Sequence, residues 1–244
     1  MFNFFNKSKQ TERLWFATDI HCHIFPGIDD GSPSVERSVE LTERMAGWGL
    51  ERIFASPHVT RGSFENTPAT IAAAREALHA ALAAAGSDIR PGNSAEYRLD
   101  DLFDEQRAAK MLLTLPGDRL LVENPFVQEP LGLDELLFGL QVEGFRPILV
   151  HPERYTYYYS HPERYRAIHD SGVQFQVNLL SFSGFYGKEE RRMAEWLMGH
   201  DLIDFVGTDL HGLRHVESIE AYLGSREYRN DRKMLEGKIK NDRI

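Results

Sequence analysis

Hydrophobic and polar positions along this chain fall into two alternating kinds of run, from Phe16 almost to the end. Short strand-like runs lie at 17–23, 52–58, 89–97, 120–125, 147–151, 174–178 and 205–211. Several are apolar at successive residues, as in Ile53-Phe54-Ala55 and Ile148-Leu149-Val150, the pattern of parallel strands buried on both faces. Between them lie runs with helical spacing. The run 34–49 opens at a Ser34 cap, carries Val39, Leu41 and Met45, and stops at Gly47 to Gly49. The alanine-rich run 68–85 has Thr67 as its cap and Gly86 as its stop. The runs 134–144, 162–172 and 189–200 repeat the pattern. Seven βα units with no linker-like break predict an α/β chain whose sheet closes as a TIM-barrel-like (β/α) barrel rather than lying open. The ends are different. Residues 1–15 read as a short arm, and 226–244 as a charged tail, either a solvated helix or a frayed end.

At 244 residues the chain suits one large domain, 1–244, and 42% hydrophobic residues suffice for its core. No apolar run is long enough to span a bilayer, so membrane insertion is not expected. The opening Met1-Phe2-Asn3-Phe4-Phe5-Asn6-Lys7 lacks the apolar core and cleavage site of a secretory signal, and a cytoplasmic location is the expectation. A net charge of −9 argues against a surface that tracks nucleic-acid phosphates. The single cysteine, Cys22, excludes an internal disulfide. Strand alternation turns it away from its histidine neighbours, so it reads as a small buried apolar residue.

The chemistry sits at the strand ends. Asp19-Ile20-His21-Cys22-His23, Ser56-Pro57-His58, Ser94-Ala95-Glu96, Val122-Glu123-Asn124, Val150-His151-Pro152-Glu153-Arg154 and Thr208-Asp209-Leu210-His211 each deliver His, Asp or Glu. With a two-residue period, His21 and His23 share a face, as do Asp209 and His211. His21, His23, His58, Glu96, Glu123, His151, Asp209 and His211 are too many ligands for one tetrahedral ion and enough for two or three. They suit Mn, Fe, Zn, Co or Mg rather than a thiolate-rich structural site. Two ions about 3.5–4 Å apart can generate a hydroxide and hold the oxygens of an in-line phosphoryl displacement. Each segment alone has a plainer explanation: Asp209 could cap the next helix, and His151-Pro152-Glu153-Arg154 is echoed at His161-Pro162-Glu163-Arg164, which reads as a helix start. Their coincidence at successive strand ends is what points to metal.

On these segments the chain resembles the PHP (polymerase and histidinol phosphatase) superfamily of metal-dependent phosphoesterases. Within it the chain is most similar to the CpsB/YwqE-type bacterial tyrosine-protein phosphatases of capsule and exopolysaccharide loci. The run from Asp19-Ile20-His21-Cys22-His23 through Pro26-Gly27-Ile28-Asp29-Asp30-Gly31 is the most specific match; the others follow in the family's order up to about Arg214. The resemblance implies a distorted seven-stranded barrel and a centre of two or three ions, typically Mn2+. It implies a manganese-dependent phosphoric monoester hydrolase acting on phosphotyrosine, with a tyrosine autokinase of polysaccharide export as substrate partner. It also implies roles for Asp29 near the metals and for Arg154 and Arg214 on the phosphate. A homo-oligomer is compatible with all of this.

Three rivals stand beside that reading. One is another PHP phosphoesterase acting on a small alcohol phosphate such as histidinol phosphate. Another is a non-catalytic PHP scaffold, against which the full ligand set argues. The third is an amidohydrolase-type barrel, which needs a ligating lysine on a middle strand, and none stands at a strand end here. Cysteine-based phosphatase chemistry is excluded, because no phosphate loop ending in arginine follows Cys22.

Overall fold

The computed structural model describes residues 12–244; most of the expected arm at 1–15 lies outside that range. The strands are β1 (Thr18–Asp19), β2 (Arg52–Ala55), β3 (His58–Val59), β4 (Gly92–Asn93), β5 (Glu96–Arg98), β6 (Arg119–Glu123), β7 (Arg146–Val150), β8 (Gln174–Asn178) and β9 (Phe205–Gly207). The principal helices are α1 (Val35–Gly47), α2 (Pro68–Ala84), α3 (Asp101–Ala108), α4 (Leu133–Val142), α5 (Glu163–Asp170), α6 (Lys188–Gly199), α7 (Leu213–Leu223) and α8 (Arg226–Leu235). Two of the expected strands are each split in two. Pro57, with no N–H to donate, interrupts the run from Arg52 to Val59. Its neighbour is interrupted at the matching level, between Asn93 and Glu96.

All strand pairs are parallel, in a three-stranded sheet β1-β2-β4 and a six-stranded sheet β3-β5-β6-β7-β8-β9 that curves as a half-barrel. Beyond β9, the Asp209 N–H donates to the His21 carbonyl and the His23 N–H to the Leu210 carbonyl. Cys22 faces Leu210 as an isolated parallel bridge. Residue parity divides the core in the later strands. Leu121, Ile148, Val150 and Phe205 join a small cluster on the concave side, while Val122, Leu149, Val177 and Val206 join the larger layer beneath the helices. After β1 the alternation breaks: Ile20 belongs to the small cluster and Cys22, two residues on, to the larger one.

The expected caps form. Ser34 Oγ accepts from the Arg37 N–H, and Thr67 and Thr70 make a reciprocal capping box around Pro68 at the first turn of α2. Helices α3 and α7 fall in stretches the pattern did not single out. The charged tail is neither frayed nor merely solvated. Tyr228 and Leu235 of α8 are buried, and Asn241 is 1% exposed. The Asn241 side chain donates to the Thr18 and Val206 carbonyls and accepts from the Val206 N–H, stitching β1 to β9. Among the described residues, no helix is long and apolar enough to cross a membrane.

Candidate metal centre

Strand geometry brings the eight candidate ligands together at one rim of the sheets, with His58 and Glu96 opening β3 and β5 just past the breaks in the two split strands. In register, His58 of β3 lies opposite Glu96 of β5, and Arg98 lies opposite Glu123 of β6. His21 and His23 extend from β1 over the same end. His151 and Asp209 follow β7 and β9 in left-handed backbone conformations, with φ of 33° and 48°. Such angles are costly for residues with a Cβ, on the order of 1–3 kcal/mol each, and recur where a side chain is aimed at a site. Two glycines permit the close approach. A Cβ on Gly31 would clash with the His23 carbonyl oxygen, and one on Gly207 would meet Gln176 Nε2 at 2.8 Å and His21 Cβ at 2.9 Å.

Glu96 is the hub. Its Oε2 lies 3.2 Å from His21 Nε2, 3.4 Å from His23 Nε2 and 2.9 Å from His58 Nδ1, while its Oε1 lies 2.9 Å from His151 Nε2. Asp209 Oδ1 stands 3.6 Å from His21 Nε2, 3.4 Å from His23 Nε2 and 3.5 Å from His211 Nδ1. Glu123 Oε1 is 3.6 Å from His151 Nε2. Asp30, not singled out in the sequence, has its Oδ1 3.5 Å from the Nε2 atoms of both His58 and His211. Three sets of donor atoms are close enough to share an ion: His23, Asp30, His58 and His211; His21, His23 and Glu96; and His58, Glu96 and Glu123.

The outer contacts set the histidine tautomers. His21 Nδ1 meets Gln176 Oε1 at 2.6 Å, Gln176 Nε2 donates to Asn178 Oδ1 at 2.9 Å, and Asn178 Nδ2 donates to Asp209 Oδ2 at 2.6 Å. His23 Nδ1 meets the Asp29 carboxylate at 2.8 Å. Both Nδ1 atoms therefore donate outward, and both Nε2 atoms point inward, only 3.3 Å apart. Glu96 Oε2 is buried among these groups with no hydrogen-bond partner. Facing imidazole nitrogens and an orphaned carboxylate oxygen form a pocket that calls for positive charge. Divalent cations fit this donor set.

Without a cation, the same demand for positive charge falls on protons. Burial works against a charged His21, yet Glu96 and Asp209 raise its pKa to about 9, so in the metal-free centre a proton occupies the inward nitrogen that a bound ion would take. Burial also works against ionised Glu96, but His58, His21 and the other histidines hold its pKa well below the usual range. Glu123, buried beside Glu96, is pushed up to about 8. Burial lowers His151 to about 4.

A cavity of about 390 Å³ opens over the cluster, lined by Asp30, His58, Glu123, Arg154, Asp209 and His211 with Phe126, Tyr186, His151 and His215. The Arg154 guanidinium is held between the rings of Phe126 (4.9 Å) and Tyr186 (4.7 Å), with Nη1 3.4 Å from Asp209 Oδ2. Asp29 sits behind the cluster, bound to His23 and to the His58 and Gly31 N–H groups. Arg214 is outside the lining, its guanidinium 5.0 Å over Phe185. Tyr186 and His215 were not anticipated, nor were Gln176 and Asn178. The last two share a face of β8 by the same two-residue spacing as the His-X-His pair, but neutral amides carry no metal signature. His215, in the first turn of α7, has its ring 5.4 Å from that of His211.

The description of capsular polysaccharide synthesis proteins CpsB/CapC matches residues 17–220. The chain belongs to the CpsB/CapC family. Among its relatives, the tyrosine-protein phosphatase YwqE of Bacillus subtilis is 29% identical over 197 residues, covering 80% of this chain and 78% of the relative. The tyrosine-protein phosphatase CpsB of Streptococcus pneumoniae is 30% identical over 213 residues, covering 80% and 83%. A solved structure from a study of YwqE and CpsB, described as unique metal-dependent tyrosine phosphatases, superposes with a TM-score of 0.76 at 28% identity. It covers 89% of this chain and 93% of that one.

Proposed function

We propose that this protein is a metal-dependent protein-tyrosine phosphatase, hydrolysing phosphotyrosine on a tyrosine autokinase of capsular or exopolysaccharide synthesis. The observation that carries the reading is the convergence of His21, His23, Glu96 and Asp209, with contacts of 3.2–3.6 Å and two imidazole Nε2 atoms turned inward. Family membership and the names of the relatives supply the substrate class. The finer parts of the proposal are manganese as the metal, a cytoplasmic location, one PHP domain throughout, and a distorted seven-stranded barrel. The barrel is supported by the backbone bonds that link the ends of β9 and β1.

In this reading His21, His23, Glu96 and Asp209 hold one ion, while His58, Glu123, His151 and His211 complete the others, with Glu96 shared. Two or three bound divalent cations supply Lewis acidity toward phosphate oxygens and activate water at neutral pH. The chain's own contribution is positioning. Arg154, locked between Phe126 and Tyr186, presents a guanidinium fork to the phosphate oxygens whose charge grows during displacement. The two aromatic rings beside it give a phenyl group an apolar wall. Gln176 and Asp29 engage the Nδ1 atoms of His21 and His23 and so aim both Nε2 atoms at the place an ion would take. A phenol leaving group, with a pKa of about 10, needs less protonation than an alkyl alcohol.

The test is hydrolysis of a phosphotyrosine peptide and of histidinol phosphate, before and after chelation and after return of Mn2+, Zn2+ or Mg2+. Turnover of the peptide should vanish on chelation and return best with Mn2+. A preference for histidinol phosphate, or activity indifferent to chelation, would overturn the proposal.

A further inference from the structure

The string His-Pro-Glu-Arg stands twice in this chain, and the fold uses the two copies in opposite ways. The second, at 161–164, leads into α5. There Glu163 is exposed, and the Arg164 guanidinium forks onto the carboxylates of Glu129 and Asp134 at 2.8–3.1 Å. The first, at 151–154, follows β7. Among the described residues its arginine meets one carboxylate, through a bond of 3.4 Å from Nη1 to Asp209 Oδ2, and its glutamate is fully buried.

Burying a carboxyl group is costly, and this one is half satisfied. Glu153 Oε1 accepts from the Asn178 N–H at 2.9 Å and from Ser181 Oγ at 2.6 Å, while Oε2 has no hydrogen-bond partner among the described residues. An apolar side chain filling the same space would spare the fold that penalty. What the carboxyl group does is tie the turn after β7 to the end of β8 and to the turn Leu179–Ser181. Tyrosine hydroxyls brace the same turn: those of Tyr155, Tyr165 and Tyr159 donate to the carbonyls of Val150, Pro152 and Glu153, each at 3.0 Å. His151, where the turn begins, has its own N–H on the Gln176 carbonyl at 2.7 Å. The N–H of Arg154, where it ends, reaches no further than the His151 carbonyl at 2.9 Å.

We infer that Glu153 is a positioning residue: by clamping the turn to Asn178 and Ser181 it fixes the backbone from which Arg154 projects, a role that rests on the proposed contact of Arg154 with phosphate. The guanidinium is weakly tethered by its own bonds, having one long hydrogen bond and two ring faces. Its head therefore goes where its Cα is placed. The contacts also close a circuit. Asn178 holds Glu153 through its main chain and Asp209 through its side chain, at 2.6 Å, and Asp209 is the carboxylate that meets Arg154. Displacing a reacting group by about 1 Å can reduce rate by about 100-fold.

The test compares Glu153→Ala, which loses both bonds, with Glu153→Gln, whose amide oxygen accepts them. Each Mn2+-loaded protein is assayed for phosphotyrosine-peptide turnover and for inhibition by inorganic phosphate, and its crystal structure is determined. Glu153→Ala should bind Mn2+ with wild-type stoichiometry, lose about 10–100-fold in kcat/KM, respond more weakly to phosphate, and show the Arg154 guanidinium displaced from between Phe126 and Tyr186. Glu153→Gln should recover to within about three-fold of wild type. On an Arg154→Ala background, Glu153→Ala should reduce kcat/KM by less than about two-fold further, because the group it positions is gone. Ser181→Ala removes one of the two bonds and should move the same quantities part of the way; it decides the matter if Glu153→Ala does not fold. A guanidinium that stays in place, a lower melting temperature with kcat/KM unchanged, or losses that add in full in the double variant would each overturn the inference. If Arg154→Ala alone left turnover intact, the phosphate role of Arg154 would fall, and the crystal structures would still judge whether Glu153 places it.

Discussion

Replacing Gln176 with leucine removes the middle of a buried relay that joins two candidate ligands. The amide accepts from His21 Nδ1 at 2.6 Å and donates to Asn178 Oδ1 at 2.9 Å, and Asn178 in turn holds Asp209 Oδ2 at 2.6 Å. Gln176 is fully buried, so leucine leaves an N–H of His21 and an oxygen of Asn178 without partners or water. Each orphan costs about 1–3 kcal/mol, together about 2–6 kcal/mol. That is a large share of a typical domain's stability, about 5–15 kcal/mol. The imidazole is then free to rotate or change tautomer, which typically weakens metal affinity by about 10–100-fold. Two assays separate these effects: denaturant unfolding of the chelated protein, and calorimetric titration of the folded variant with Mn2+. Gln176→Glu, which keeps an acceptor for His21 but loses the donor to Asn178, should fall between wild type and leucine in both. If the leucine variant binds Mn2+ within about two-fold of wild type, Gln176 does not orient His21 and the reasoning fails.

Other predictions follow from the same geometry. Arg154→Ala should leave Mn2+ stoichiometry near normal and reduce phosphotyrosine turnover by about 10²–10³-fold; loss of metal along with turnover would assign it a different role. Gly207→Ala places a methyl 2.8 Å from Gln176 Nε2 and 2.9 Å from His21 Cβ, so it should lower both melting temperature and metal affinity, read by calorimetry. Asp204 tests pH dependence away from the centre. Burial opposes its charge, but His169, Lys240 and the Phe175 N–H outweigh burial and lower its pKa below 3.8. A carboxylate with a depressed native pKa stabilises the fold at pH above its unfolded value, and that contribution disappears as pH falls through the native value. The stability gap between wild type and Asp204→Asn should therefore be full at neutral pH and close below about pH 4 in acid-unfolding curves.

The sequence made the centre legible where the local period did the work. A two-residue repeat is enough to put His21 with His23 and to turn Cys22 into the opposite layer, and both dispositions are seen. The caps at Ser34 and Thr67 were equally readable, since they depend only on the first turn that each residue opens. Asp30 was passed over because it lies in a loop whose path depends on Gly31 crossing the His23 backbone. Tyr186 and His215 come from the segments after β8 and β9, and their place beside Arg154 and His211 is a matter of packing between elements far apart in sequence. The tail misled for a related reason. Charged residues on one side of α8 concealed Tyr228 and Leu235 on the other, and Asn241 gave no sign that it would bond β1 and β9.

What the chain alone determined was the alternation of strands with most of the helices and most of the inward-facing imidazoles and carboxylates, because pleat and helical period are local properties. What only the folded molecule decided was which strands became neighbours: His58 opposite Glu96, and Gln176 between His21 and Asp209. Those contacts join residues up to 155 positions apart. They follow from sheet register and from the burial of the whole core, which no local window contains.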